Sequence, residues 1–335
     1  MPLSYRHAVA HLVLTGALLT PLFAAPSSAR AQDAPVGGSV TIVVPFPAGG
    51  TVDAVARQVQ QGLQERLKAT VVIENKPGAA GSTGATQVAR SAPDGRTWLF
   101  VFDTQAVNPF LLKLSFDSEK DLAPVMLIGT APNVLATNPS KPFKTLADIV
   151  AAAKQKPGTI TYATIGAGSL GHLTMVRLSK LLGISLNHVP YRGGGPAMND
   201  ALAGHVDLII GSAALVNPQI AGGTLRPIVQ FGEKRGTSPE LASVPTSAES
   251  GAPGVESYAW WGVFAPAATP APVIERFERD LRATLQEPKV ADKLSQAQQI
   301  SIRAEGPAGF RTFFAGQMKT WGAIVRENNI EIGSQ

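Results

Sequence analysis

The sequence predicts an α/β protein of two lobes joined by two crossing segments, and three observations predict it. Strand-like and helix-like patterns alternate from Val40 onward, as parallel sheets with right-handed crossovers require. Two long extended runs, residues 125–137 and 257–264, interrupt that alternation, and the first is too long for one ordinary strand. Glycine-rich turns stand where strands give way to helices, at residues 48–51, 78–82, 166–169 and 193–195.

Residues 1–31 read as a secretory signal. Arg6 and His7 form a short polar start, residues 8–23 are apolar, and Ala29-Arg30-Ala31 offers small residues for cleavage after Ala31. The apolar run is interrupted by His11 and Pro21 and is shorter than the ~20 residues a membrane span needs. Of the 335 residues, 304 then remain, enough for two domains with their own cores. We place lobe 1 at residues 32–130 and 256–335 and lobe 2 at 131–255.

In order, residues 40–44 are a β-branched strand ended by Pro45 and Pro47. Residues 52–67 carry Val52, Val55, Ala56, Val59, Leu63 and Leu67 on one helical face. A second strand (71–74), a helix ending near Ser91, a Pro93-Asp94-Gly95 turn and a third strand (97–102) follow. The extended run from Val125 to Thr137, broken by Gly129 and Pro132, reads as a crossing between lobes. A second α/β unit comes next: helix 146–154, strand 159–164, helix 170–182, strand 185–189, helix 196–203 and strand 206–210. A strand at 225–231, a Pro/Gly/Ser-rich surface stretch and a return crossing at 257–264 lead to a helical end. There Phe277, Leu281, Phe310, Phe313, Phe314 and Trp321 fall at core spacing. Two α/β lobes joined by two crossings make a hinged clamshell, whose ligand site lies in the cleft.

Composition narrows the function. Loss of Arg6 and Arg30 lowers the formal net charge from +5 to +3, too balanced for a nucleic-acid binder, and no basic run with interleaved aromatics occurs. Cysteine is absent, which excludes disulfides, thiolate catalysis and Cys-ligated zinc. His172, His188 and His205 are scattered and no HExxH occurs, so neither metal nor cofactor is expected.

The organising stretch is residues 40–53, VTIVVPFPAGGTVD, a strand, a tight loop and a helix that Thr51 can cap. Free N–H groups at such an exit suit an anion, and the working assignment is a carboxylate-binding loop. Asp53 either gains from the helix dipole alone or accepts from a ligand ammonium. Gly166-Ala167-Gly168-Ser169-Leu170-Gly171 matches GxGxxG, yet the acid a dinucleotide site needs about twenty residues on is missing, and only Arg192 is offered. A carboxylate uses the same close backbone approach. Ser169 also sits near a nucleophile-elbow pattern, but no acid stands ready to orient His172. We expect Ser169 to cap its helix with its hydroxyl and N–H turned to a ligand. Pro196 is expected at a first helical position, and Arg192 either in an ion pair across the hinge, the favoured role, or in bidentate contact with a ligand carboxylate.

Several stretches together resemble one family. They are Val43-Val44-Pro45-Phe46-Pro47-Ala48-Gly49-Gly50 with Asp53, Glu74-Asn75-Lys76-Pro77-Gly78-Ala79-Ala80-Gly81, Pro93-Asp94-Gly95, Val189-Pro190-Tyr191-Arg192-Gly193-Gly194-Gly195-Pro196 and Trp261-Gly262-Val263-Phe264-Ala265-Pro266. The family is the Bug-type extracytoplasmic solute receptors of tripartite tricarboxylate transporters. The resemblance implies a type II-like periplasmic-binding-protein fold of the Venus-flytrap kind, closing over a small carboxylated molecule and serving a membrane permease without catalysis. It implies ligand contacts from Phe46, Ala48, Gly49, Gly50, Thr51 and Asp53 in one lobe, with Thr104, and from Gly166, Ala167, Gly168, Ser169, Gly171 and His172 in the other. Ile165 stands where many relatives have a more polar residue, which favours an aromatic or aliphatic ligand body. A monomer is expected. A ligand sensor and an exported serine hydrolase are the alternatives.

Overall fold

The computed structural model describes residues 38–331, so the expected signal segment lies outside the described residues. Strand β1 (Ser39–Val44) lies between β2 (Thr70–Asn75) and β3 (Thr97–Phe102), and all three run parallel. Helix α1 (Thr51–Leu67) carries the crossover from β1 to β2 and buries the face its spacing predicts, from Val52 to Leu67. It stops at Lys68, whose left-handed φ of 52° ends the helical bonding. After β2, residues 79–81 make one 3-10 turn and α2 (Ser82–Ala89) leads back toward β3. A 3-10 turn at Asp103–Ala106 and the short α3 (Asn108–Leu111) close this unit.

The first crossing is β4 (Leu122–Thr137), a single strand of 16 residues that changes partners midway. Over Leu122 to Pro132 it pairs antiparallel with β9 (Tyr258–Pro266), and over Asn133 to Thr137 with β7 (Leu208–Ser212). Gly129 and Pro132, which suggested interruption, instead lie inside it. A β-carbon at Gly129 would stand 2.6 Å from the Ser301 carbonyl, so glycine there admits a neighbouring strand. That neighbour is β10 (Ser301–Glu305), antiparallel to β4 and unanticipated in a C-terminal stretch expected to be all helix. Its polar alternation hides it.

Beyond β4 come α4 (Leu146–Gln155), β5 (Thr161–Thr164), α5 (Leu170–Leu182), β6 (Asn187–Pro190) and α6 (Gly194–Ala203). Thr145 and Asp148 close a reciprocal capping box on α4. Strand β5 is parallel to both β6 and β7. Helix α6 begins at Gly194, so Pro196 is its third residue rather than its first. Gly193, at φ 120°, supplies the turn two residues earlier than proline alone would. Helix α7 (Ala213–Ala221) contains Pro218 and has no periodic signal; β8 (Arg226–Gln230) then pairs with the far half of β4. A short α8 (Pro239–Ala242) lies in the Pro/Gly/Ser-rich stretch.

The full strand order is β2-β1-β3-β9-β4-β7-β5-β6, with β8 and β10 also on β4: two parallel triads joined through antiparallel strands. Helix α9 (Ala271–Leu285) packs on α1 and β4, α10 (Pro288–Asp292) on α9, and α11 (Pro307–Glu327) on β4 and the 103–106 turn. The C-terminal aromatics are core, as their spacing predicts. Phe277 stacks on Trp98 at 3.8 Å, and Phe310 and Phe314 flank Trp260 and Phe264. A separate cluster joins Leu170 and Leu173 of α5 to Val107 and to Trp321, Ile324 and Val325 of α11, so the helix behind the second glycine turn is anchored to the C-terminal helix.

Candidate functional site

The loop after β1 is held by its own side chains. Asp53 is 2% exposed. Its Oδ2 accepts from the Gly49 N–H at 2.9 Å and from Arg57 Nε at 2.8 Å, and its Oδ1 accepts from Asn75 Nδ2 at 3.0 Å. Asn75 also donates to the Phe46 carbonyl at 3.1 Å, tying β2 to the loop. Burial alone would raise the Asp53 pKa, but these donors and the Arg57 charge hold it below the ordinary value. Its oxygens are engaged within the loop, which gives Asp53 the office of shaping the turn.

Gly49 takes φ +79°, where L-residues are strained, and the Gly50 N–H donates to the Pro47 carbonyl. This turn makes Gly50 the residue before the helix and Thr51 the first within it. The expected Thr51 cap is absent: the turn closes one residue sooner, and no side chain caps α1. The N–H groups of Thr51, Val52 and Asp53 therefore find no acceptor among the described residues.

Beside this loop lies the 78–82 turn, where Ala79 and Ala80 both take left-handed φ, 44° and 52°. Such strain persists only where surroundings impose it. Here the Thr104 hydroxyl and Asn108 Nδ2 each donate to the Ala80 carbonyl at 3.0 Å. A β-carbon at Gly81 would lie 3.1 Å from the Phe46 ring, and one at Gly84 2.8 Å from Pro45, so α2 buttresses the first loop. Phe46 meets Phe102 edge-on at 6.2 Å. Thr104 thus reaches the loop through Ala80.

The turn after β5 spends its polar groups in the same inward way. Ser169 is 1% exposed; its hydroxyl donates to the Gly166 carbonyl at 2.8 Å, and its N–H goes to the same oxygen. It caps α5 by accepting from the His172 N–H, as expected, but neither its hydroxyl nor its N–H is turned outward. The Gly168 N–H donates to His172 Nδ1 at 3.2 Å, which removes that nitrogen from the reach of the serine oxygen and leaves the hydrolase arrangement without a base. Gly171 lets α5 close on β7, since a β-carbon there would lie 3.2 Å from Ile210. The Ala167, Leu170 and Gly171 N–H groups have no acceptor among the described residues.

Sequence reasoning missed the support behind this turn. His188 of β6 stacks on His172 with centroids 4.0 Å apart and planes 8° from parallel, and Tyr162 of β5 stacks on the far side of His188 at 5.0 Å. His188 Nε2 lies 2.8 Å from the Thr164 hydroxyl oxygen. Burial depresses His172 to about 4; burial, with the facing His172, takes His188 to about 3. Both rings are neutral near pH 7. The signal for His188 was its alternation with Val189 and Tyr191, one residue type too sparse to read alone.

The two turns approach each other through the 191–195 segment. The Gly193 N–H donates to the Ile165 carbonyl, and a β-carbon at Gly193 would stand 3.9 Å from Pro47. Tyr191 is pinned by its hydroxyl to Asp200 at 2.6 Å. Arg192 is exposed and makes no ion pair among the described residues, contrary to the expected hinge pair, because the nearby acid Asp200 is taken by Tyr191 and His205. Among the described residues no cluster of acids and histidines could hold a metal ion, and no helix is long and apolar enough to cross a membrane.

The family model described as "Tripartite tricarboxylate transporter family receptor" matches residues 55–330. Protein BugT of Bordetella pertussis is 33% identical over 318 residues, covering 94% of this chain and 96% of that protein. The solved periplasmic binding protein BugD superposes with a TM-score of 0.82 at 31% identity, covering 88% of this chain and 99% of BugD. An R. palustris protein solved with adipate superposes with a TM-score of 0.83 at 29% identity, over 88% of this chain and 99% of that one.

Proposed function

This chain belongs to the tripartite tricarboxylate transporter receptor family, whose members are periplasmic solute receptors rather than enzymes, and from that premise we propose that it captures a small dicarboxylate and hands it to a membrane permease. One observation carries the reading. Two strand-to-helix turns spend their side chains on their own backbone and leave the N–H groups of Thr51, Val52 and Asp53 and of Leu170 and Gly171 without an acceptor among the described residues, on either side of the Pro47–Gly193 approach. Helix N-terminal amides favour an anion, and two such ends suit a ligand with a carboxylate held between them. The adipate bound by the R. palustris relative supports the dicarboxylate class.

The lobes in this reading are residues 38–130 with 256–331, and 131–255, separated where β4 exchanges β9 for β7. The described residues pack as one compact body, so the boundary rests on that exchange of partners. Ligand touching both turns stabilises the closed form, and the closed form is what a permease reads. The ligand contacts are the amides of Thr51, Val52 and Asp53 in one lobe and of Ala167, Leu170 and Gly171 in the other. Asp53, Thr104 and Ser169 shape the turns.

Calorimetric titration of the purified receptor with malate, adipate, citrate, glutamate and benzoate tests the reading. The expected outcome is saturable binding of a dicarboxylate, recovered unchanged. Absence of binding by any of the five, or consumption of one of them, refutes it.

A further inference from the structure

We infer that His172 serves the ligand as a neutral Nε2–H donor, and that His188 is the positioning residue that fixes its ring plane and its tautomer. The inference rests on the receptor reading for the ligand and on local geometry for the tautomer. The Gly168 N–H can only donate, so His172 Nδ1 must present a lone pair, and the one proton of the neutral ring sits on Nε2. That Nε2–H has no acceptor among the described residues, although the ring is more than half enclosed and sits in the first turn of α5. A half-buried donor beside two unpartnered helix amides extends the same row of N–H groups.

His188 holds this arrangement from behind. Its ring lies flat against His172 and is itself backed by Tyr162, so His172 cannot rotate without breaking the stack. The Thr164 hydroxyl donates to the Gly166 carbonyl at 3.0 Å, which leaves its oxygen to accept from His188 Nε2–H. Strands β5 and β6 therefore set the plane in which His172 lies. The titratable groups packed on His172 are His188 from β6 and, behind it, Tyr162 from β5. No carboxylate contributes to the depressed basicity of either imidazole. A second proton would place a charge on an enclosed ring and turn the Gly168 N–H against a protonated Nδ1. The donor thus keeps one form across the range where free histidine titrates.

Nitrogen-resolved NMR of histidine-labelled receptor and calorimetry with adipate, malate and citrate test both halves. In wild-type protein His172 should show the Nε2–H tautomer with no titration from roughly pH 5.5 to 8, and the affinity for whichever acid binds should show no inflection near 6.5. His172→Phe, which keeps the stack and removes the donor, should weaken binding about tenfold. His172→Gln, which returns an N–H near the Nε2 position, should restore it to within about threefold. His188→Leu, which removes the ring that fixes the His172 plane, should bring an Nδ1–H population into the His172 spectra and weaken binding about threefold. His188→Phe, which keeps a ring against His172, should not. An Nδ1–H tautomer in wild type, or a His172→Phe variant that binds within about twofold of wild type, overturns the inference and leaves the receptor reading standing. If wild-type protein binds none of the acids, the receptor reading fails and the donor role with it, while the nitrogen spectra still decide the locked tautomer.

Discussion

Replacing Asp53 by alanine should loosen the first ligand turn and lower stability together. The carboxylate receives three hydrogen bonds, from Gly49, Arg57 and Asn75. Arg57 is half exposed and regains water when released, so its share is small. The Gly49 N–H lies in an exposed turn and the Asn75 amide keeps its bond to the Phe46 carbonyl, so each lost hydrogen bond costs about 0.5–1 kcal/mol. A total loss of about 1–2 kcal/mol follows, or roughly 2–5 °C in Tm for a chain of this size. The pH dependence has a definite sign. A carboxylate whose folded pKa lies below its unfolded value of 3.8 stabilises above that value and loses its contribution as pH falls through the folded pKa. Scanning calorimetry from pH 7 down to about 3 should therefore show the wild type converging on Asp53→Ala only at the acid end. Calorimetric titration should show weaker carboxylate binding in the variant and in Asn75→Ala, since both release the same loop. A Tm within about 1 °C of wild type at pH 7 refutes the staple. Lost binding with Tm and Asn75→Ala both unaffected would make Asp53 a direct ligand contact instead.

Asp103, 2% exposed with Oδ1 unpartnered, has its pKa raised well above 3.8 by burial, against a backbone hydrogen bond from Thr104. Its contribution is full below the unfolded pKa and is lost as pH rises through the folded one; Asp103→Asn should therefore be more stable than wild type at pH 8, by about 1–3 kcal/mol, and urea titrations across pH should show the gap closing toward acid. Ala80→Gly should raise stability by up to about 1 kcal/mol in the same titrations, because relief of the left-handed strain exceeds the entropy glycine adds to the unfolded chain. Ser169→Ala should cost about 1 kcal/mol for the lost α5 cap, and neither it nor the wild type should hydrolyse an ester or amide in a chromogenic assay.

Much of the scaffold was legible because it depends on patterns that span many residues. The α1 stripe, the Thr97–Phe102 strand and the aromatic spacing of α11 each repeat their signal several times. What was not legible depends on single contacts. Strand β10 is a five-residue polar edge that exists because β4 offers it an unpaired side, and α7 carries an internal proline and small residues with no preferred face. The glycine turns were visible as turns, but the destinations of their hydrogen bonds were not. Ser169 looked outward in sequence because a capping serine has a free hydroxyl proton, and only the fold brings the Gly166 carbonyl, already approached by Thr164, within its reach.

The same inward turning explains why the fold and family can be read without the ligand's identity. In both turns the side chains that chemistry would single out are spent on backbone: Asp53 on Gly49, Thr104 on Ala80, Ser169 on Gly166. Shape is thereby fixed by residues that need not meet a solute, and on the proposed reading the solute is met by amides common to every residue type. An amide row recognises a carboxylate and carries no memory of the rest of the molecule. On that reading discrimination falls to side chains near the Pro47–Gly193 approach, namely Ile165, His172 through its Nε2–H, and Arg192, which makes no ion pair among the described residues. Variation at those three positions is free to change the ligand while the staples stay as they are. Exchanging Arg192 for Ala or Glu should therefore alter the ranking of dicarboxylates against monocarboxylates in calorimetry with no change in Tm beyond about 1–2 °C, as expected for an exposed side chain. An unchanged ranking would assign the distal end of the ligand to Ile165 and His172 alone.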